Sequence, residues 1–323
     1  MGVVKSRHYD QFQTRKMKRR EVFSWLGAIP FMGVGVFEAS AKKRKQSKRV
    51  LRLAHLTDTH LTDTRNAVKN YTTCLHHVQS LKEEVDLILD GGDTIMDALG
   101  VKEKAKVDAQ WKLWENTYGQ ECDLEMIHCV GNHDVWAGAE KTDPLYGKKY
   151  VQDRLQMDSP YYSFDRAGWH FIVLDSTHPV NGGWYTAKLD EAQMDWLQQD
   201  LEKTSQDTPV LVLSHIPILT ATGFYPDNVK EGNWTVPGSW MHTDFQEIQK
   251  LFMAHGNVRA CLSGHMHLLD YVTYNGITYM CNGAVSGNWW GDPMYYETRA
   301  GYAVINLYAD GSFDREWYEY EWV

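Results

Sequence analysis

The sequence contains little cysteine: five residues among 323, an odd number with no Cys-x-x-Cys pair. The low count excludes a dense disulfide framework, and the missing pair excludes a zinc knuckle. At most two disulfides can form. We expect Cys129 and Cys261 to be buried free thiols, because both lie within apolar runs.

A long apolar run is also missing. The most apolar segment, residues 22–37, is interrupted by Pro30 and three glycines and is shorter than the roughly 20 residues that a membrane-spanning helix needs. It follows a basic stretch that contains Arg19-Arg20 and precedes Ala39-Ser40-Ala41, an order that resembles a twin-arginine export signal. We therefore predict an export signal over residues 1–41, a basic linker over 42–49, no stable membrane span, and a periplasmic or extracellular location in a bacterium.

Positive charge is scarce in the rest of the chain. Residues 1–49 carry 13 Lys and Arg against three Asp and Glu, which leaves 20 against 39 for residues 50–323, a net charge of −19. Such a charge repels the phosphates of DNA and RNA. We expect no long nucleic acid as a partner, although bound metal ions can reverse the sign of the charge at a small phosphate site.

Short apolar runs alternate with helix-periodic segments from residue 50 onward. The alternation is typical of an α/β fold, and the length favours a single domain over residues 50–323. Buried strands are predicted at 50–56, 85–89, 124–130, 210–213 and 258–262. Helices are predicted at 67–84, 103–118, 190–203 and 245–255, with Asp190 as an N-cap.

The last fifty residues have the pattern of β structure. Asn275-Gly276 and Asp310-Gly311 are turn sequences typical of hairpins, and both lie between segments rich in strand-forming residues. We predict that this C-terminal β-hairpin region completes a second sheet.

Each of the five predicted strands is followed by a short segment dense in side chains that can bind metal ions. Loops at the carboxyl ends of strands converge in open α/β sheets, so we expect these segments to meet at one edge. They are Asp58-Thr59-His60, Gly91-Gly92-Asp93, Gly131-Asn132-His133-Asp134, Ser214-His215-Ile216-Pro217 and Gly264-His265-Met266-His267.

These segments, in this order, resemble the motifs of the calcineurin-like metallophosphoesterase superfamily, and the resemblance extends from Leu51 to about His267. It implies an α/β fold of four layers, an α/β/β/α sandwich of two mixed β-sheets flanked by helices, around a dinuclear metal centre. The segments around Asp58 and Asn132 are also similar to those of cyclic-nucleotide phosphodiesterases.

The resemblance implies two metal ions bridged by Asp93. The other ligands it implies are Asp58, His60 and His267 for one ion, and Asn132, His215 and His265 for the other. The spacing supports the first set, because side chains at i and i+2 of an extended segment point the same way, which lets Asp58 and His60 chelate one ion. Mixed nitrogen and oxygen ligands favour Mn, Fe or Zn, as divalent or trivalent ions.

The implied activity is hydrolysis of a small phosphate mono- or diester by a metal-activated water. His133 matches the family position that donates a proton to the leaving oxygen, and we expect Asp134 to orient its imidazole. Two alternatives are a nuclease of the same superfamily and a non-catalytic interaction module with this fold. The negative charge argues against the first and the full ligand set against the second, while the oligomeric state is left open.

A glycine-rich segment, residues 283–291, follows the last metal motif. Trp289 and Trp290, together with Asn288, are candidates for a substrate-pocket wall that stacks on a planar group. A buried hydrophobic plug is an equally good interpretation of the same residues.

Overall fold

The computed structural model describes residues 47–180, 185–224 and 228–323. The predicted export signal lies outside the described residues, and so does the predicted linker up to residue 46. Among the described helices, none combines the length and the apolar character needed to cross a bilayer.

The described residues form 17 strands and five helices. The strands are β1 (Arg49–Leu56), β2 (Leu87–Asp90), β3 (Met126–His128), β4 (Tyr162–Arg166), β5 (Trp169–Leu174), β6 (Thr177–His178), β7 (Thr186–Ala187), β8 (Val210–Ser214), β9 (Val229–Lys230), β10 (Asn233–Trp234), β11 (Val258–Ser263), β12 (Val272–Tyr274), β13 (Ile277–Cys281), β14 (Met294–Tyr295), β15 (Thr298–Arg299), β16 (Gly301–Tyr308) and β17 (Phe313–Glu319). The helices are α1 (Ala67–Gln79), α2 (Lys104–Glu121), α3 (Lys148–Leu155), α4 (Glu191–Lys203) and α5 (Phe245–His255).

Two mixed sheets form the centre of the fold. The first has the order β17-β16-β1-β2-β3, and the second has the order β12-β13-β11-β8-β5-β4. Strands β1, β2 and β3 are parallel, as are β13, β11, β8 and β5, whereas the remaining strands of both sheets pair antiparallel. The parallel strands therefore bring their carboxyl ends to one edge of each sheet.

Apolar side chains separate the fold into four layers. Alternate residues of β1 face opposite ways: Leu51 and Leu53 point into the interior between the sheets, and Ala54 and Leu56 point toward α1, α2 and α3. The outer face of the second sheet packs on α4 and α5. The predicted α/β/β/α sandwich is confirmed.

Several local predictions are also confirmed. The carboxylate of Asp190 accepts a hydrogen bond from the Gln193 amide at 2.8 Å and begins α4, and β12 and β13 turn at Asn275-Gly276. All five cysteines are buried and free, Cys129 and Cys261 among them.

Some predictions were wrong. The hairpin at Asp310-Gly311, formed by β16 and β17, joins the first sheet beside β1 and not the second sheet. Helix α1 ends at Gln79 instead of residue 84, and β3 covers three residues of the predicted seven. Helix α3 and strands β4 and β5 were not predicted at all. All six residues of β5 are buried and five of them are apolar. Such a run has no periodicity that distinguishes a strand from a buried helix.

Candidate metal centre

The seven predicted metal ligands lie together at the carboxyl edge of the two sheets. The segments after β1, β2 and β3 come from the first sheet, and those after β8 and β11 from the second. Six of the seven side chains are almost fully buried: Asp58, His60, Asp93, Asn132, His215 and His267. The convergence follows from the topology, because neighbouring parallel strands end at the same edge.

Site 1 consists of Asp58, His60 and His267, whose donor atoms lie close enough to hold one ion. The Oδ1 atom of Asp58 is 3.3 Å from Nε2 of His267 and 3.8 Å from Nε2 of His60. The two Nε2 atoms are 3.2 Å apart.

Site 2 consists of Asn132, His215 and His265. The Nε2 atom of His215 is 3.2 Å from Oδ1 of Asn132, and the rings of His215 and His265 are 5.2 Å apart. Asp93 lies between the sites, since its Oδ2 atom is 3.2 Å from Nε2 of His215 and 3.6 Å from Nε2 of His60. One carboxylate oxygen thus faces both sites.

The buried polar atoms of these residues suit cations. Nδ1 of His267 donates to the Gly287 carbonyl at 2.7 Å, and Nδ1 of His215 donates to the Gly91 carbonyl at 2.8 Å. Because a carbonyl only accepts, each Nε2 directs a lone pair into the centre when its ring is neutral. Oδ1 of Asp58 is buried there without a hydrogen-bond partner, so acceptors converge where a metal ion would satisfy them.

Burial sets the charge of two of the imidazoles. It lowers the pKa of His60 to about 4 and the pKa of His265 to about 3, so both are neutral near pH 7. Burial also opposes charge on His215, but the neighbouring Asp93 carboxylate outweighs it and raises the pKa of His215 to about 10. A metal ion entering site 2 must displace that proton.

The backbone of five ligands is left-handed: φ is 54° at Asp58, 45° at His60, 54° at Asp93, 67° at His265 and 56° at His267. Each such residue costs on the order of 1–3 kcal/mol unless the surroundings hold it. The extended conformation expected for Asp58 and His60 was therefore wrong. The two side chains converge because their amides donate to the carbonyls of Gly92 and Asp93, at 3.0 and 2.8 Å.

The C-terminal loop, residues 283–291, bonds to the backbone of the site 1 ligands and packs against them. The Ser286 hydroxyl donates to the Asp58 carbonyl at 2.7 Å, and the Trp290 indole donates to the His60 carbonyl at 3.0 Å. The Trp289 ring stacks on His267 with centroids 4.1 Å apart. Ser286 was not predicted, because its hydroxyl bonds to a backbone carbonyl and not to a recognisable side-chain partner.

The predicted pocket wall needs two corrections. Trp290 is 3% exposed and stacks on Trp322, so it is part of the core and cannot stack on a substrate. Asn288 closes a turn, in which its amide donates to the Asp292 carbonyl, and its side chain does not line the metal cavity. Trp289 does line that cavity.

His133 lies beside site 1. Its ring meets the ring of His60 edge-on at 4.7 Å, and its Nδ1 donates to the Met96 carbonyl at 2.7 Å, which leaves Nε2 facing the cavity. Its backbone amide donates to Oδ1 of Asp93 at 2.7 Å.

The role expected for Asp134 was wrong. Its buried carboxylate accepts hydrogen bonds from the amides of Asp93, Thr94 and Gly131, each at 2.9 Å. It therefore fixes the two loops that carry Asp93 and Asn132, while the Met96 carbonyl orients the His133 imidazole.

Two glycines permit the loops to approach this closely. A Cβ atom on Gly264 would lie 1.9 Å from Oγ1 of Thr57 and 2.2 Å from Oδ2 of Asp58. A Cβ atom on Gly131 would lie 2.1 Å from the Asp93 amide nitrogen. Any side chain at either position would push the ligand loops apart.

The metal cavity is the space of about 250 Å³ above the two sites. No Lys or Arg is among the described residues that line it. Apart from the ligands, His133 and Met266, its wall is aromatic and consists of Tyr185, Trp240, Trp289 and Tyr295.

Several known proteins resemble this chain in sequence. Residues 51–269 match the family model described as calcineurin-like phosphoesterase. The chain is 22% identical over 284 residues to a 3′,5′-cyclic-nucleotide phosphodiesterase of Nostoc sp., a match that covers 82% of this chain and 91% of that protein. It is also 22% identical over 281 residues to the 3′,5′-cyclic adenosine monophosphate phosphodiesterase CpdA of Haemophilus influenzae, covering 83% and 90% of the two chains.

A solved structure has the same fold. A dimetal phosphatase from Danio rerio superposes with a TM-score of 0.60 at 15% sequence identity, covering 84% of this chain and 96% of that chain. At this identity the likeness concerns the fold.

Proposed function

The chain belongs to the calcineurin-like phosphoesterase family, and on that premise we propose that it hydrolyses phosphodiesters at sites 1 and 2. It is a phosphoric ester hydrolase, and metal-dependent hydrolysis of phosphoesters is what its family and relatives support. A small phosphate ester is the substrate that suits this family. The preference for diesters over monoesters is the part of the proposal that goes beyond the family assignment.

The absence of Lys and Arg from the described wall of the metal cavity carries this proposal. A phosphate monoester bears close to two negative charges near pH 7, because its second pKa is about 6, whereas a diester bears one. With such a wall, only bound metal ions can balance the negative charge of the substrate. The carboxylates of Asp58 and Asp93 already offset part of the positive charge of those ions. A singly charged diester is therefore the better electrostatic match.

The aromatic wall supports a substrate with a planar group. Trp289 presents an indole ring beside site 1 and is partly exposed to the cavity, and a planar ring can stack on it. The relatives from Nostoc and Haemophilus are named cyclic-nucleotide phosphodiesterases. Cyclic nucleotides are accordingly the first natural substrates to test.

We assign the roles of the residues as follows. Site 1 and site 2 would each hold one Mn, Fe or Zn ion, and Asp93, whose Oδ2 atom faces both sites, would serve both. When bound, the ions supply charge neutralisation and lower the pKa of a bound water. Hydrolysis places the hydroxyl group of a water on phosphorus and a proton on the leaving oxygen. Nε2 of His133 would donate that proton, and the proton released by the water would return His133 to its starting state.

The test compares four substrates with the metal-free and the Mn²⁺-loaded protein: 4-nitrophenyl phosphate, bis(4-nitrophenyl) phosphate, cyclic AMP and cyclic GMP. We expect hydrolysis only with metal, and a kcat/KM for the aryl diester at least about tenfold above that for the monoester, which corresponds to about 1.4 kcal/mol. Equal or better hydrolysis of the monoester would contradict the diester preference. No hydrolysis of any substrate would favour a non-catalytic interaction module.

We also propose that the protein is exported. The proposal is supported by the order of basic residues, apolar segment and Ala39-Ser40-Ala41 in the sequence. Cell fractionation tests it: a variant with Arg19→Lys and Arg20→Lys should stay in the cytoplasm while the unmodified chain reaches the periplasm or medium. The same location for both chains would contradict a twin-arginine signal.

A further inference from the structure

A second cavity of about 380 Å³ adjoins the metal cavity. The two share Asn132 and Tyr185 in their walls, so a ligand above the metal sites can extend into both. We call the second one the arm cavity. Its apolar and aromatic lining comprises Leu99, Val135, Ala137, Tyr146, Pro179 and Tyr185.

The arm cavity lies on the side of site 2. Its shared residue Asn132 is a member of site 2, and its other shared residue, Tyr185, has its ring 6.3 Å from the ring of His265. His133 and Trp289 lie beside site 1 and line only the metal cavity. A phosphate bound at the centre therefore has His133 within the metal cavity and the arm cavity open beside site 2.

All but one of the charged side chains that line the arm cavity form ion pairs or hydrogen bonds with other groups of the protein. The Lys148 ammonium pairs with the Asp175 carboxylate and the Thr177 carbonyl, and the Asp190 carboxylate caps α4. Lys149 is the exception, and it is exposed to solvent. The cavity thus offers an apolar lining without an unpaired buried charge, which suits an uncharged group.

We propose that the arm cavity binds the ester group that stays on phosphorus during hydrolysis, and that the substrates therefore include acyclic phosphodiesters whose retained group is apolar or planar. The leaving group then lies outside the arm cavity, next to His133, which lines only the metal cavity. A 3′,5′-cyclic nucleotide joins both ester oxygens to one ribose, so it cannot send separate groups into the two cavities. This inference rests on the proposed phosphodiesterase function.

Two diesters with the same leaving group isolate the arm cavity. Bis(4-nitrophenyl) phosphate retains an aryl group after losing 4-nitrophenolate, whereas methyl 4-nitrophenyl phosphate retains a methyl group. Ala137→Phe fills the cavity with a side chain, and Ala137→Leu fills it less. Ala105→Phe is the matched control, because Ala105 is exposed on α2 and does not line the arm cavity.

We expect Ala137→Phe to lower kcat/KM for the bis-aryl diester at least about tenfold, the amount that loss of a buried aromatic ring predicts. The methyl diester should change less than twofold, which also shows that the variant is folded and metal-loaded. Ala137→Leu should give a smaller selective loss, and Ala105→Phe none. Equal losses for both diesters in the Ala137 variants, or no loss in either, would overturn the arm-cavity assignment while leaving the phosphodiesterase function intact. Failure of the unmodified protein to hydrolyse either diester would overturn both.

Discussion

Site 1 and site 2 have the same number of ligands but are held in different ways. All three residues of site 1 have left-handed backbone, whereas in site 2 only His265 does. Asn132 and His215 follow strands β3 and β8 with ordinary backbone dihedral angles. Site 1 thus depends on left-handed backbone at all three of its ligands, and site 2 at only one.

The C-terminal loop is the main support of site 1. Its residues bond to the carbonyls of Asp58 and His60 and accept the Nδ1 hydrogen of His267. The family match ends at residue 269, before this loop begins. The ligands of both sites therefore lie within the matched segment, while the geometry of site 1 depends on residues beyond it.

We expect the largest effect from a substitution of Asp93, the residue that the two sites share. Asp93→Asn keeps the size of the side chain but removes its charge, so both ions should be lost and kcat/KM should fall at least about a thousandfold, equivalent to the several kcal/mol that metal ions contribute. Metal analysis and diester kinetics measure this, with Asp63→Asn, an exposed loop position, as the control. Retention of one full equivalent of metal would show that Asp93 serves a single site.

The next effect concerns the proton donor beside site 1. His133→Ala should lower kcat about a hundredfold without changing metal content, since general acid catalysis contributes about that much. The loss should grow as the leaving group becomes more basic, from 4-nitrophenolate to phenolate, because a basic oxygen needs the proton more. A loss that is the same for every leaving group would assign His133 to binding instead.

A smaller effect should appear in the metal affinity of site 1 alone. Trp290→Phe removes the indole hydrogen bond to the His60 carbonyl and should weaken metal binding at site 1 by about tenfold or more, as substitutions behind a metal ligand do. Binding at site 2 should be unchanged. Trp322→Phe is the matched control, because Trp322 stacks on Trp290 without bonding to a ligand residue. Equal weakening of both sites in a metal titration would contradict the difference in support.

The last effect is a difference between the two sites in the pH dependence of metal binding. In the metal-free protein His215 carries a proton below its raised pKa of about 10, and His60 is neutral above its lowered pKa of about 4. The proton stabilises the metal-free form of site 2, so metal affinity there should rise about tenfold per pH unit from pH 6 to 8, while His60 adds no such dependence to site 1. Calorimetry of Mn²⁺ binding in buffers of different ionisation enthalpy counts the protons released. Binding at pH 7 without proton release would contradict a protonated His215.

The sequence predicted which side chains converge better than it predicted what holds them. Each ligand segment follows an apolar run, so the order of strands and polar segments was visible in the chain. Asp134 and Ser286 were misread or missed because they bond to backbone amides and carbonyls 41 and 228 residues away. Backbone groups are the same at every residue, so such bonds leave no pattern in the residue types.

The sequence by itself determined the α/β class, most of the helices, the ligand-bearing segments and the negative charge of the body, because these depend on residue types and on the spacing of near neighbours. Only the tertiary structure decided the left-handed backbone at Asp58 and His60, the core position of Trp290 and the existence of the arm cavity. Those features arise where segments distant in the chain pack together. Leu99, Ala137 and Pro179 line the same cavity although they are distant in the chain, and no local sequence pattern encodes that proximity.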